Sequence, residues 1–285
     1  MFDESRDAGP TTKPIARMLA RVRIEALYVH PVKSCAGIRL PSAQLDARGI
    51  RWDRRWMVVD ADGRFITQRE EPRLALAKTC LGRDGLRLES PGIGSVDVPY
   101  KPAAGSERVT VRVWDDDCEA VRIGGAAREW LSALLGIEAS LVFMPDETVR
   151  PVDSAYASAG SRVGFADAFP LLIVGRASFD DLAARVAEPL VIERFRPNLV
   201  VEGSAPYAED GWQRIRAGEI EIDLVKPCSR CAITTVDPAT GATGHEPLRT
   251  LATYRKVGSK VMFGMNAIHA APGALAEGDP IEVVR

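Results

Sequence analysis

"RWMVVDADGRFIT", residues 55–67, sets the fold class. Two short apolar runs flank Asp-Ala-Asp-Gly, and a polar cluster closing on glycine signals a hairpin turn. The preceding stretch, residues 22–60, moves in bursts of the same kind, with "VRIEALYVHPVKS" (22–34) and "IRLPSAQLD" (38–46). "LRLESP" (86–91), "SVDVPY" (95–100) and "VTVRVWDDDCEAVRI" (109–123) continue the period of two, which places alternate side chains on one face of a strand. Short strands with turns every ~8–12 residues predict a β-barrel or sandwich. One helix interrupts them at 126–136, "AAREWLSALLG", where Trp130, Leu131, Leu134 and Leu135 form an apolar stripe suited to core packing.

The polar, small-residue stretch 145–169 reads as a loop or domain junction. Beyond it, "PLLIVGRAS" (170–178) predicts a buried strand, and "ASFDDLAARVAEP" (177–189) a helix with Ser178 as its N-cap. "FRPNLVVEG", "IRAGEIEIDLVKP", "CAITTVDP", "KVMFGMNAIHA" and "GDPIEVVR" supply further strands. The expected class is mostly β with some helix (α+β). The expected domains are a disordered tail over 1–21, an N-terminal β-barrel-like domain over 22–145 and a second β-barrel domain over 146–285.

Composition bounds the function. The chain has 285 residues, 46% hydrophobic and 27% charged, and a formal net charge of −2 from 37 basic and 39 acidic residues. These are ordinary values for a globular protein, with no overall basic field for nucleic acid or an anionic membrane. No apolar run approaches the ~18–20 residues of a membrane span. The N-terminus carries acids at once and lacks the apolar core of a secretory signal. Five scattered cysteines make no disulfide framework, so a reducing cytoplasm is expected.

Two of those thiols are paired in "KPCSRCAITTVDPATG" (226–241). Structural zinc needs four ligands, and only His245 and His269 lie downstream. A redox dithiol belongs where a strand enters a helix, whereas "CAITTV" is β-branched and reads as strand. A single soft thiolate offered to a transition metal is the third reading, and Arg230, adjacent in sequence, would favour the thiolate. Two small packed residues remain a fourth. Asp237 opens an Asp-Pro turn and reads as a turn residue rather than a proton donor.

A second set of residues suits an anion. Lys33 and Ser34 follow a strand; Arg54 and Arg55 abut a strand that looks buried, where at least one needs an anionic partner. Arg196 and Asn198, at alternate positions in "ERFRPNLVV", would share a strand face. Arginine's fork of donors, a lysine point charge and neutral Ser and Asn donors are what a phosphorylated ligand requires.

At this point the chain resembles the MOSC-domain proteins that carry an N-terminal β-barrel domain, bacterial relatives of the mitochondrial amidoxime-reducing component. The resemblance rests on "YVHPVKSCAG", "DRRWMVVDADGRFITQREEPRLAL", "FADAFPLLIV", "FRPNLVVEGSAPYAEDGW", "PCSRCAITTVDPATG", "EPLRTLATYR", "FGMNAIH" and "GDPIEVV", in register from residue 28 to 284. It implies a molybdenum cofactor, the metal held by the dithiolene of a phosphorylated pterin. It implies Cys231 as the metal's thiolate ligand, with Cys228 a packed neighbour. Lys33, Ser34, Arg54, Arg196, Asn198, Ser229 and Arg230 would hold the pterin and its phosphate, with Asp167, Ala168 and Phe169 lining it. Asn266 stands where the mitochondrial proteins have tyrosine.

The implied activity is reduction of N-hydroxylated compounds, with S- or N-oxides as alternatives. No ferredoxin-type cysteine set and no dinucleotide fingerprint occurs, so electrons are expected from a separate ferredoxin- or flavin-type donor protein rather than from a nicotinamide. The expected partners are this donor and a small-molecule substrate, with neither nucleic acid nor membrane. A non-catalytic cofactor carrier or sulfur-transfer module would use the same residues, and a metal-free β-barrel binding module is a third reading.

Overall fold

The computed structural model describes residues 22–157 and 160–285; the tail expected at 1–21 lies outside them. The protein is mostly β, as the alternation predicts. Among the described residues the largest sheet has nine strands. Its path runs Ile281–Val283, Arg214–Ala217, Ile220–Arg230, Lys260–His269, Leu171–Gly175, Leu199–Glu202, Arg23–Val29 and Ile38–Leu40, with Lys256–Val257 paired to Lys260–His269. The first described strand therefore pairs deep in the second half, Arg23 opposite Glu202 and Leu27 opposite Leu199. A bridge between Arg23 and Pro280 links it also to the segment before Ile281–Val283.

Both faces of this sheet are covered. Leu27, Ile173 and Leu199 bury on one side, and Tyr28, Leu172, Val174 and Val200 on the other, against Phe179 and Leu182 of the helix Arg176–Arg185. Two-sided burial explains why "LLIV" and "LVV" are continuous apolar runs. That helix connects Leu171–Gly175 to its parallel neighbour Leu199–Glu202.

The remaining strands form a four-stranded sheet (Trp56–Val59, Ser140–Phe143, Asp116–Ile123, Arg108–Val113) and two three-stranded sheets. The turn at 60–63 forms as read: Asp60 N donates to Arg64 O at 3.0 Å and Ile66 N to Val58 O at 2.9 Å. The helix Ala126–Leu135 buries Trp130, Leu131, Leu134 and Leu135, and ends at left-handed Gly136.

Three local expectations fail. "CAITTV" is not a strand: a 3₁₀ turn spans Ala232–Thr235. The hydroxyls of Thr234 and Thr235 donate to Cys231 O at 3.0 Å and Ala232 O at 2.8 Å, and such local bonds compete with a strand ladder. Ser178 does not cap its helix, which starts two residues earlier with Gly175 at the cap. The Ser178 hydroxyl instead donates to Glu209 at 2.8 Å and accepts from Tyr207 N at 2.7 Å. Arg196 and Asn198 share no strand face, because the strand begins at Leu199 and Arg196 is left-handed.

One close approach carries the loop 163–169 to the rest of the chain. Phe165 N donates to Arg54 O at 2.7 Å. A Cβ on Gly164 would sit 2.7 Å from Arg54 O and 3.1 Å from Asp53 O, so only glycine fits. Gly164→Ala is expected to destabilise the protein by about 1–3 kcal/mol, the usual range for overpacking, seen as a lowered denaturant midpoint. An unchanged midpoint would mean that the loop can move away freely.

Candidate functional site

Several segments converge on one cleft of about 780 Å³ including its open mouth. The first two are zipped together: Arg54 N donates to His30 O, Lys33 N to Trp56 O (both 2.8 Å) and Trp56 N to Pro31 O at 3.1 Å. This brings Lys33 and Ser34 beside Arg54. The third, Phe195–Asn198, enters from a 3₁₀ turn. The fourth is the end of the long strand Ile220–Arg230, whose pairing slips between Leu224 and Lys226 and again between Pro227 and Ser229. Beyond it Cys231 starts the 3₁₀ turn.

The residues that the resemblance assigned to the cofactor line this cleft: Lys33, Ser34, Arg54, Asp167, Ala168, Phe169, Arg196, Asn198, Ser229, Arg230, Cys231 and Asn266; Arg55, singled out beside Arg54, does not, and donates instead to Met144 O and Asp146 Oδ1, both at 2.7 Å. Cys228 lines the cleft too, while also packing against the apolar cluster around Phe195 and Phe263. Among the described residues no group of three or more His, Cys, Asp or Glu is gathered as a metal-ligand set, so the four-ligand zinc reading finds no partners. Asp237 lies outside the lining; its Oδ1 accepts from the backbone N of Ala239 and Thr240, both at 2.9 Å, the turn role read for it.

The charges are unequal. Lys33, Arg54, Arg196 and Arg230 line the walls. Against these four cations stand two carboxylates, Asp53 on Arg54 at 2.5 Å and Asp167 on Lys33 at 2.5 Å. Arg196 donates through Nη1 to Cys35 O, and its buried Nη2 has no partner. Burial, and then the Arg54 guanidinium, bring its pKa down to about 10. Arg230 donates to Phe195 O at 2.6 Å and to Cys228 Sγ at 3.0 Å, leaving Nε buried and unpaired. The arginine between the cysteines thus touches Cys228, not the Cys231 thiol beside which it stands in sequence. Buried donors without acceptors are rare and costly, and guanidinium donors facing a cleft suit an oxyanion.

Backbone strain marks the same place. Ser34 (φ 68°), Arg54 (φ 47°) and Arg196 (φ 54°) are all left-handed, a conformation non-glycine residues avoid and functional sites collect.

Asp53, which the sequence reading did not assign, holds this arrangement. Its side chain is 2% exposed. Its Oδ1 accepts from His30 N at 2.8 Å and Asn198 Nδ2 at 3.1 Å, and its Oδ2 from Arg54. Asn198 is consumed by the same network. Its Nδ2 also donates to Tyr28 O at 3.2 Å, and its Oδ1 accepts from Leu172 N and Arg54 Nη1, both at 3.1 Å. His30 Nε2 donates to Pro197 O at 3.0 Å. Burial, helped by Arg54 and Arg196, holds its pKa well below the usual imidazole range, so the ring is neutral. Arg150, also unassigned, pins the loop by donating to Gly164 O at 3.0 Å, Ala166 O at 2.5 Å and Asp167 O at 3.1 Å.

Burial lowers the pKa of Lys33 against the pull of Asp167. For Asp167 burial acts upward but is outweighed, by the Lys33 charge and hydrogen bond and then by Arg69 and Trp114, so its carboxyl lies well below the usual range. Burial pushes the Cys35 thiol up to about 12, which makes it inert packing.

Two family profiles match the chain. Residues 21–138 match the MOSC N-terminal beta barrel domain and residues 160–282 the MOSC domain. The protein belongs to the MOSC-domain family, in the branch with the N-terminal barrel domain. Within it, the chain is 32% identical over 275 residues to mitochondrial amidoxime-reducing component 1 of Mus musculus, covering 90% of this chain and 81% of that one. It is likewise 32% identical over 275 residues to mitochondrial amidoxime reducing component 2 of Bos taurus, covering 90% and 82%. Among solved structures, the YUAD protein of Bacillus subtilis aligns over 91% of this chain and 93% of its own, at 14% identity and a TM-score of 0.42. Among the described residues no helix is long and apolar enough to cross a membrane.

Two outcomes test this electrostatic frame. Asp53→Ala strands Arg54 and Asn198 in the interior and is expected to cost about 3–5 kcal/mol, the range for removing one partner of a buried pair, read as a lower unfolding midpoint. For Asp167, whose folded pKa lies below the unfolded ~3.9, stability is fully present above that pH and lost as pH falls through the folded value. Asp167→Asn should flatten the acid limb of the stability–pH profile; an unaltered limb would refute the assignment.

Proposed function

We propose that this protein is a molybdenum-cofactor-dependent reductase of N-hydroxylated compounds, supplied with electrons by a separate ferredoxin- or flavin-type donor protein. The observation that carries the reading is the buried, unpartnered Nη2 of Arg196 beside Arg54, in a cleft that Cys231 also lines. A phosphate oxyanion would satisfy the first and a soft metal the second. Both belong to a phosphorylated pterin carrying molybdenum, so the residues fit the group. Two relatives named for amidoxime reduction, at 32% identity, support the same reading.

In this reading Arg196, Arg54 and Lys33 take the phosphate, with Ser34 as a neutral donor. Asn198 acts through Arg54, because its own four hydrogen-bonding positions are spent. Ser229, Arg230 and the 167–169 loop would flank the pterin, Asn266, on the strand Lys260–His269, lines the same cleft, and Cys231 would be the metal's thiolate. When bound, the cofactor supplies a two-electron couple. The net reaction takes two electrons and two protons; the N–O bond breaks, nitrogen gains N–H and the oxygen leaves as water. A non-catalytic cofactor carrier would bind equally and turn nothing over.

Molybdenum and pterin content of protein from a cofactor-competent host test the reading directly. Cys231→Ala is expected to lose molybdenum and activity and keep its fold, while Cys228→Ala keeps most of its metal; the reverse would invert the ligand assignment. Arg196→Ala removes a charge-assisted bond worth about 1.5–3 kcal/mol, a roughly 10- to 150-fold loss in pterin affinity. Wild-type pterin occupancy under dilute, exchange-permitting conditions would count against it.

A further inference from the structure

Trp114 is not among the residues that line the cleft but contacts one that is, and the proposed function gives it no role. It occupies the tip of the hairpin joining Arg108–Val113 to Asp116–Ile123. Its backbone is left-handed, φ 58°. Tight hairpin tips take Gly, Asn or Asp in that conformation, and a bulky residue there is an outlier. Burial does not compensate, since Trp114 is 45% exposed.

Its surroundings tie it to the cleft. The indole N–H donates to Asp167 Oδ1 at 3.2 Å, the same oxygen that pairs with Lys33. Arg69 lies over the ring at 4.8 Å and 3.7 Å from the other Asp167 oxygen. Phe65 meets the ring edge-on at 5.3 Å. The hairpin thus reaches across to a residue that lines the cleft and presents a half-exposed aromatic surface beside a carboxylate. That carboxylate is 55% accessible, and Lys33 and Arg69 already offset its charge.

We infer that Trp114 is a specificity-determining residue that selects flat aryl substrates. It stacks an aromatic ring while Asp167 accepts a hydrogen bond from the N–H donors of an adjoining amidine-type head. The inference rests on the proposed reductase reading. The arrangement favours neutral aryl N-hydroxyamidines over small aliphatic N-hydroxylated compounds, which reach no aromatic surface. A purely structural alternative makes the indole N–H a clamp on Asp167.

The test uses Trp114→Ala and Trp114→Phe, each purified with its cofactor from a competent host, beside the wild type. Two quantities are read: the ratio of kcat/KM for an aryl amidoxime to that for a small aliphatic N-hydroxyguanidine, with a chemical electron donor, and the calorimetric affinity for the non-reducible aryl amidine. Trp114→Ala is expected to lower both by roughly three- to tenfold, the worth of one aromatic stack, and Trp114→Phe to stay within about twofold of wild type. An unchanged ratio and affinity in Trp114→Ala would overturn the inference. So would Trp114→Phe falling as far as Trp114→Ala, the signature of the clamp. A wild type with full molybdenum that reduces neither substrate would refute the reductase reading instead. The amidine titration then decides alone: weaker binding by Trp114→Ala supports the aromatic stack, and equal binding removes it.

Discussion

The carboxylate of Asp53 is the point at which the two halves of the chain are bound into one site. Its acceptors serve His30 N and Arg54 from the first half and Asn198 from the second. Through Asn198 the network reaches Leu172 N and Tyr28 O, in two strands of the nine-stranded sheet. A buried carboxylate with donors on every side is stable only as a complete set, because a partly satisfied buried network is worse than an apolar one. The position of Arg54, and the backbone of Arg196 and Pro197 beside it, follow from that completeness.

The cleft accepts electrostatic cost in return for readiness. Buried cations without counter-charge oppose folding, and left-handed Ser34, Arg54 and Arg196 add backbone strain. Neither is relieved inside the protein, since two guanidinium groups end on backbone carbonyls or sulfur with a nitrogen left over. An anion entering such a site meets donors already aimed, and preorganisation of this kind strengthens binding by reducing what must be ordered on arrival.

Much of this was legible in the sequence, for identifiable reasons. Period-two alternation fixed the β class, because a half-buried strand must alternate. Lys33, Ser34, Arg54, Arg196 and Asn198 were legible as residue types that suit an anion, but their convergence, and the roles of Asp167, Ala168, Phe169, Ser229, Arg230, Cys231 and Asn266, came only from the family resemblance. The failures share a cause. "CAITTV" has the composition of a strand, yet its threonine hydroxyls bond locally, and "RPN" abuts a strand that begins only at Leu199; pattern reports neither. Ser178 looked like a cap because its partner Glu209 lies far along the chain. Asp53 was within reach: an acid directly before two arginines at the mouth of a buried strand is the nearest counter-charge. Arg150 and Trp114 carried no local signal, for their partners at 164–167 are known only once the loop is placed.

The pairing of Arg23–Val29 with Leu199–Glu202 has a consequence for biosynthesis. Arg23–Val29 leaves the ribosome long before its partner exists. At about 5–20 residues per second the wait is on the order of ten to thirty-five seconds. Throughout it an apolar strand that ends up covered on both faces has an unpaired edge, the hazard that slow, non-local β pairing brings. The four-stranded sheet and the helix Ala126–Leu135 draw on residues 56–143 alone and can form in that interval. The large sheet, and with it the cleft, can be completed only near the end of translation.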